Sequence, residues 1–186
     1  MNQGRGDIKT IKLSVLFIIL SITFTLEASA DFKDEEFHRS FFEIGFKEVQ
    51  VALQEAEDHF KKEMALPVQI PPIEFTHSFG RFINLRGMEN DEFEMEYRHI
   101  DKPENHYMIS IKPAKYGVPI RKELIDQVMI LKDGSKATYS MKAVNGFNLF
   151  RFEKNGWQYV LYINQDVSRQ VPLETLLDIA NSVSGK

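Results

Sequence analysis

The chain has 186 residues, of which 43% are hydrophobic and 27% charged, with a net charge of −4 and no cysteine. Hydrophobic and charged fractions in this range are typical of globular proteins. The lack of cysteine excludes disulfides, thiolate metal sites and a cysteine nucleophile. The acidic balance provides no basic surface for a polyanion, so no nucleic-acid partner is predicted.

The N-terminal residues have the pattern of a secretory signal peptide. Arg5, Lys9 and Lys12 form a positive segment, and an apolar run follows over residues 13–26. A run of this length suits the hydrophobic core of a signal peptide and is short for a membrane span. We therefore predict a signal peptide over residues 1–30.

A cleavage site follows this apolar run. Ala28 and Ala30 form an Ala-x-Ala motif, which predicts cleavage between Ala30 and Asp31. The remaining residues 31–186 are then expected to form one extracytoplasmic α+β domain. The alternative is an uncleaved N-terminal anchor, which would be the only attachment of this chain to a membrane.

Residues 34–64 show helical periodicity. Acidic residues at the start suit the positive end of a helix dipole. The apolar residues that recur near helical spacing are Phe37, Phe41, Phe42, Ile44, Val49, Leu53, Ala56, Phe60 and Met64. This spacing predicts one long N-terminal helix. Prolines 67, 71 and 72 prevent it from continuing, so an extended segment should follow.

The hydrophobic period then changes to two. Phe93, Met95 and Tyr97 alternate with charged residues, and a second alternating segment covers residues 107–112. Alternation of this kind predicts half-buried β-strands. Pairing of Tyr97 with Tyr107 is expected across the intervening loop.

Three turn dipeptides divide the C-terminal half into short strands: Asp133-Gly134, Asn145-Gly146 and Asn155-Gly156. Each is a preferred pair for a two-residue hairpin loop. If all three turns are of this type, the expected neighbours are Phe152 with Tyr159, Phe150 with Leu161, Tyr139 with Phe152, Met141 with Phe150, Val128 with Tyr139, and Ile130 with Ala137. These pairs align apolar side chains, which predicts a four-stranded meander over residues 126–164.

The chain ends in an amphipathic helix that begins after Pro172. Its apolar stripe comprises Leu173, Leu176, Leu177, Ala180 and Val183. The sheet face offers a partner for this stripe. Trp157 lies at the turn end of that face, and we interpret it as a corner residue that seals the sheet edge.

Together these elements predict an α+β fold. It has a long N-terminal helix, an antiparallel meander sheet of roughly six or seven strands, and a C-terminal helix packed on the sheet.

The segment "FEKNGWQYVLYI" and the final helix resemble a family of secreted domains of unknown function in Gram-positive, often spore-forming, bacteria. The matching residues are Phe152, Gly156, Tyr159, Leu161, Glu174, Leu176, Ile179, Ala180 and Ser182. The resemblance covers the C-terminal hairpin and helix. It implies an extracytoplasmic sheet-plus-helix domain and no catalytic residues, because the shared positions belong to the hairpin and core.

Candidate chemistry is sparse. His59 and Glu63 share a helix face, but two ligands do not make a zinc site. His99 and His106 flank one loop, and the expected strand pairing separates them. The sequence lacks a G-x-S-x-G motif and a glycine-rich phosphate loop. We predict no catalytic, cofactor-binding or metal-binding residues, and hence no enzyme.

Three hypotheses for function follow. The first is an exported, non-catalytic domain that binds a protein, peptide or cell-envelope component. The second is a carrier of lipid or a small apolar ligand, with Phe41, Phe42 or Phe46 lining a pocket between sheet and helix. The third is a hydrolase, in which scattered residues such as His77 and Ser78 would have to meet distant partners.

Overall fold

A computed structural model describes residues 32–85 and 87–184. The proposed signal peptide, with cleavage between Ala30 and Asp31, lies outside these residues. The helices are α1 (32–43), α2 (Val49–Phe60) and α3 (Leu173–Asn181). The strands are β1 (His77–Ile83), β2 (Glu92–Arg98), β3 (His106–Pro113), β4 (Gln127–Ile130), β5 (Lys136–Val144), β6 (Phe147–Lys154) and β7 (Trp157–Asn164).

The protein is α+β, with one seven-stranded sheet in which all pairings are antiparallel. The strand order is β1-β2-β3-β7-β6-β5-β4. The predicted four-stranded meander is therefore confirmed as β4 to β7. The sheet as a whole is not one meander, because β3 pairs with the last strand rather than with β4.

The prediction of one long helix over residues 34–64 was wrong. The first helix ends in a Schellman motif, in which Phe46 N–H donates to Phe41 C=O and Gly45 N–H donates to Phe42 C=O. Gly45 has φ +92°, a left-handed conformation that glycine adopts without steric cost. Lys47 then forms an antiparallel bridge with Gly80 of β1 before α2 begins.

The chain forms two compact units, the first ending at Ser40 and the second beginning at Phe41. Residues 32–40 are helical, and every other element lies in the second unit. Within the described residues, no helix is long and apolar enough to cross a membrane.

Gly80 sets the distance between α2 and the sheet. A Cβ at this position would lie 2.9 Å from the Cβ of Ala52 and 2.9 Å from the Cα of Val49. Ala52 and Ala56 are fully buried where the helix meets the sheet. Small residues on both surfaces therefore permit the close approach that buries the apolar side of α2.

One face of the sheet forms the core. Alternate residues of a strand point to the same face, and the core-facing set is buried: Phe93, Met95, Tyr107, Ile109, Ile111, Phe150, Phe152, Tyr159, Leu161 and Ile163. Side chains of this size each contribute about 1.5–3 kcal/mol when fully buried. Residues of α2 and α3 join the same cluster, which confirms that the C-terminal helix packs on the sheet. We call the opposite side of the sheet the outer face.

The predicted register holds across one turn and fails across two. Phe152 pairs with Tyr159 and Phe150 with Leu161, as expected for the turn at Asn155 and Gly156, where both residues have positive φ. Across the middle turn, a bulge between Ser140 and Val144 shifts the pairing by two residues. The observed neighbours of the middle pair of strands are Tyr139 with Phe150 and Ala137 with Phe152.

The first hairpin is shifted by one residue because its loop is longer than two residues. Leu131 N–H donates to Ser135 C=O, which leaves three residues in the loop with Gly134 at φ +83°. Met129 rather than Ile130 therefore pairs with Ala137. Val128 and Ile130 turn to the outer face, where they are 56% and 58% exposed.

Trp157 is a corner residue, as predicted, but it does not lie at a sheet edge. It begins β7, the central strand, and is 1% exposed. Its Nε1 donates to the carbonyl of Glu63 at 2.9 Å, and its ring contacts Phe60 edge-on. The residue therefore fastens the segment after α2 to the end of the sheet.

Candidate binding site

The outer face carries the polar residues of the central strands. Glu92, Glu94 and Glu96 of β2 alternate with the core residues of that strand. Ser110 and Lys112 of β3 lie beside Val160 and Gln158 of β7 on the same face. Helices α2 and α3 pack on the other side of the sheet, whereas Phe41 and Phe46 pack on Phe79 at the β1 edge of the outer face. Over the central strands of the outer face, a loop can cover these residues.

One loop does so. Residues 117–124, which we call the roof loop, follow a short 3₁₀ turn after β3 and end in a second 3₁₀ turn, Lys122–Leu124, before β4. A pocket of about 300 Å³ lies between this loop and the outer face. Its lining residues are Glu92, Ser110, Lys112, Val118, Pro119, Ile120, Arg121, Leu124, Ala143, Leu149, Arg151, Gln158, Val160 and Tyr162. The pocket thus has an apolar roof and a mixed floor.

Gln158 holds the roof loop against the sheet. This side chain is 1% exposed, and its Oε1 accepts a hydrogen bond from Val118 N–H at 3.0 Å. Gly117 gives it room, because a Cβ there would lie 2.2 Å from Gln158 Nε2. Gly117 has φ −62°, so glycine is required here for space and not for backbone conformation.

The ionisable side chains that line the pocket are mainly cationic although the chain is acidic. Its lining contains Lys112, Arg121 and Arg151 but one carboxylate, Glu92. Lys112 Nζ lies 4.0 Å from the Oε2 of Glu92, and the same oxygen accepts a hydrogen bond from Ser110 Oγ at 2.7 Å. Arg121 and Arg151 also pair with Glu123 and Glu153, which lie outside the lining. The lining itself therefore presents three cationic side chains and one carboxylate, a composition that favours an anionic group over a cationic one.

Two buried donors of the pocket residues lack a protein acceptor. They are Gln158 Nε2 and Arg151 Nε. A buried donor without a partner costs about 1–3 kcal/mol. Both atoms offer hydrogen bonds and neither offers an acceptor, so their chemistry agrees with the charge of the lining.

Burial raises the pKa of Tyr162 to about 12, and the charges of Glu92 and Glu94 act in the same direction. Its hydroxyl is therefore neutral at pH 7. A neutral phenol is a further potential donor at the floor of the pocket.

Beside the pocket, two neighbouring glutamates have opposite pKa shifts. Burial raises the pKa of Glu94, despite the hydrogen bond from Arg81, and the charges of Glu92 and Glu96 raise it further. Burial also opposes ionisation of Glu96, but hydrogen bonds and charges from His106 and Arg98 outweigh it and lower its pKa.

Two further pockets flank Trp157. One, of about 420 Å³, is lined by residues of the segment after α2, and the other, of about 350 Å³, includes Phe60 and Met88. Lys62 lines both, and its Nζ is bound to the carbonyl of Asn155 at 2.6 Å and lies over the indole. Because these groups already bond to one another, we interpret the region around Trp157 as structural and not as a binding site.

The histidines singled out from the sequence have separate surroundings. His59 Nε2 lies 2.8 Å from Asp91, a 2% exposed carboxylate that also accepts the N–H of Leu85. This pair ties α2 to the connection between β1 and β2. Sequence reasoning missed it because the two residues come from distant segments.

The other candidates do not converge. His99 Nε2 lies 3.9 Å from Glu74, and His106 Nε2 lies 3.3 Å from Glu96. His77 and Ser78 are consecutive in β1 and therefore point to opposite faces. In the part of the chain that the structure describes, no group of three or more potential ligand side chains could hold a metal ion.

Comparisons with protein-family models, curated proteins and solved structures gave no match. The resemblance of the C-terminal hairpin and helix to secreted domains of Gram-positive bacteria therefore stays a prediction.

We expect Gly117→Ala to lower the free energy of unfolding by about 1–2 kcal/mol, because the new methyl group displaces the buried Gln158 amide. In a Gln158→Ala background the same substitution should cost much less. Urea unfolding of the four proteins measures this coupling. As a control, Gly134→Ala should be additive with Gln158→Ala, since a Cβ at Gly134 has no heavy atom within 4 Å. Equal costs of Gly117→Ala in both backgrounds would contradict the packing described.

Glu94→Gln and Glu96→Gln should show opposite pH trends in stability. The lowered pKa of Glu96 stabilises the fold above its unfolded pKa, and this contribution is lost as pH falls through the folded pKa. The cost of Glu96→Gln should therefore shrink towards acid pH. The raised pKa of Glu94 stabilises the fold at low pH and loses this contribution as pH rises, so the cost of Glu94→Gln should grow towards acid pH. Urea titrations between about pH 7 and pH 3.5 measure the cost of each substitution in unfolding free energy. If the two costs changed in the same direction with pH, the opposite pKa shifts of Glu94 and Glu96 would be refuted.

Proposed function

We propose that this chain is an exported, non-catalytic domain that binds a protein, peptide or cell-envelope component through the pocket under the roof loop. The observation that carries the proposal is the combination of an apolar roof with buried, unpartnered donors on the floor. Pockets that bind small ligands are commonly apolar, with a few polar groups that fix orientation. A volume of about 300 Å³ corresponds to the small end of that range.

The mode of attachment of the loop supports binding at this position. Val118 is held by Gln158, and the apolar side chains of the roof lie over Val160 and Leu149. A ligand can therefore enter between a loop and a rigid sheet, with little rearrangement of the core. Binding sites are often built in this way, on loops that a rigid scaffold positions.

The polar groups of the pocket favour binding over catalysis. Glu92 accepts a hydrogen bond from Ser110 and lies near Lys112, so its charge is partly neutralised. None of the residues described as lining the pocket is a histidine, the most common general base. This composition supports a site that recognises a ligand.

The carrier hypothesis has less support from the same residues. Phe41 stacks on Phe79 with ring centroids 4.3 Å apart, and Phe46 is 3% exposed. None of the three pockets described above is lined by Phe41, Phe42 or Phe46. These rings serve as packing partners of β1, so we favour the pocket on the outer face.

Export has its own test. We expect the protein recovered from the medium of a Gram-positive secretion host to have an intact mass that starts at Asp31. Replacement of Ala28 and Ala30 by bulky residues should prevent cleavage and keep the chain with the cells. Full-length protein in the membrane fraction, with the natural sequence, would instead support the anchor.

Ligand binding is tested by NMR. We expect a panel of small acids, amines, neutral compounds and short peptides to include ligands that shift the backbone amides of Val118 and Ile120 and the side-chain amide of Gln158. The indole N–H of Trp157 should stay unchanged and reports on the other two pockets. Gly117→Ala should weaken every ligand that acts at the roof loop. Shifts confined to the Trp157 region, or none with any compound, would overturn the proposal.

A further inference from the structure

The ligand chemistry of the pocket can be specified further, on the basis of the proposed function. We infer that the pocket binds an aliphatic carboxylate, with its anionic group at Lys112 and Arg151 and its apolar chain under the roof loop. Three properties of the lining support this class: the sign of its charge, the type of its unpartnered polar atoms, and the position of its apolar residues.

The charge selects an anion. Lys112 and Arg151 are 13% and 18% exposed, so solvent screens them less than it screens the other basic residues of a surface. Arg151 Nη2 donates a hydrogen bond to Glu153, which lies outside the lining, and Arg151 Nε remains without a partner. A carboxylate can accept from such groups through two oxygens.

The unpartnered atoms also select an acceptor. Gln158 Nε2 and Arg151 Nε are donors, and the Oε1 of Gln158 is already occupied by Val118. A protonated amine would add further donors and could not accept a hydrogen bond from Gln158 Nε2 or Arg151 Nε. A carboxylate would supply the missing acceptors when the loop adjusts around it.

The apolar residues limit the rest of the ligand. Val118, Pro119 and Ile120 lie in the roof, while Leu149 and Val160 lie in the floor. An aliphatic chain buried between them gains about 25 cal/mol per Å² of apolar surface removed from water. A small inorganic anion gains nothing from this contact, so it should bind more weakly than an aliphatic acid.

The decisive experiment uses three probes that share one chain and differ in charge: hexanoate, hexanol and hexylamine. Each is titrated into the protein at neutral pH, with the amides of the roof loop and Gln158 followed by NMR. We expect hexanoate to bind at least tenfold more tightly than hexanol, and hexylamine to bind most weakly. Equal affinity for hexanoate and hexanol, or a preference for hexylamine, would overturn the inference.

Charge variants test the assignment of the residues. Lys112→Met and Arg151→Gln should each weaken hexanoate about tenfold or more and leave hexanol unchanged. Glu92→Gln should do the opposite and tighten hexanoate, because it removes the one carboxylate of the lining; a loss of folding cannot mimic this result. Lys136→Met and Arg169→Gln are matched controls at exposed positions outside the pocket, and neither should alter binding. No change in Lys112→Met, Arg151→Gln and Glu92→Gln would overturn the inference.

Two sources can supply the same chemistry, and a fourth probe separates them. N-acetyl-leucine represents a peptide C-terminus, and its amide provides the uncharged control. Tighter binding of N-acetyl-leucine than of hexanoate identifies a peptide terminus, whereas the reverse identifies a free aliphatic acid; both results support the carboxylate. If other compounds of the panel bind under the roof loop and no carboxylate does, the proposed function stands and this inference fails. If nothing binds there, both fail.

Discussion

The pairing of β3 with β7 is the constraint on which the rest of the structure depends. It joins the first three strands to the C-terminal meander and makes one sheet of both. The same pairing places residues side by side on the core face and on the outer face. Ile109 beside Leu161 belongs to the core, whereas Lys112 beside Gln158 belongs to the floor of the pocket. The alternation of side chains therefore couples the site directly to the most deeply buried strands.

The same pairing explains where the roof loop lies. The chain leaves β3 at Pro113 and must travel past β7, β6 and β5 before it reaches β4 at the far edge. Crossing the outer face is a short route, and Gln158 fixes the loop on that route by its bond to Val118. A long-range strand pairing thus creates the surface that the loop covers, and the buried side-chain amide of Gln158 fixes the distance between the loop and the sheet.

Much of the fold could be predicted from local signals. Alternation gave the pairing of Tyr97 with Tyr107, and the turn at Gly156 gave the register of the last hairpin. Errors arose where a small backbone feature outweighed the pattern: Gly45 divides the helix, and a bulge shifts the middle hairpin. The pocket could not be predicted, because Lys112 is distant in sequence from Arg151 and Gln158 of the last hairpin, and only the β3–β7 pairing brings it beside them.

The two edges of the sheet differ in a way that limits self-association. At the β1 edge, Lys47 exchanges two backbone hydrogen bonds with Gly80 and thereby occupies the centre of that strand. At the β4 edge, no further strand from residues 32–85 or 87–184 is paired, and Val128 and Ile130 are exposed. Open edges are the places where sheets from separate molecules join. A molecule with one accessible edge can form a closed pair, but it cannot add copies at both ends, so the geometry disfavours fibre growth.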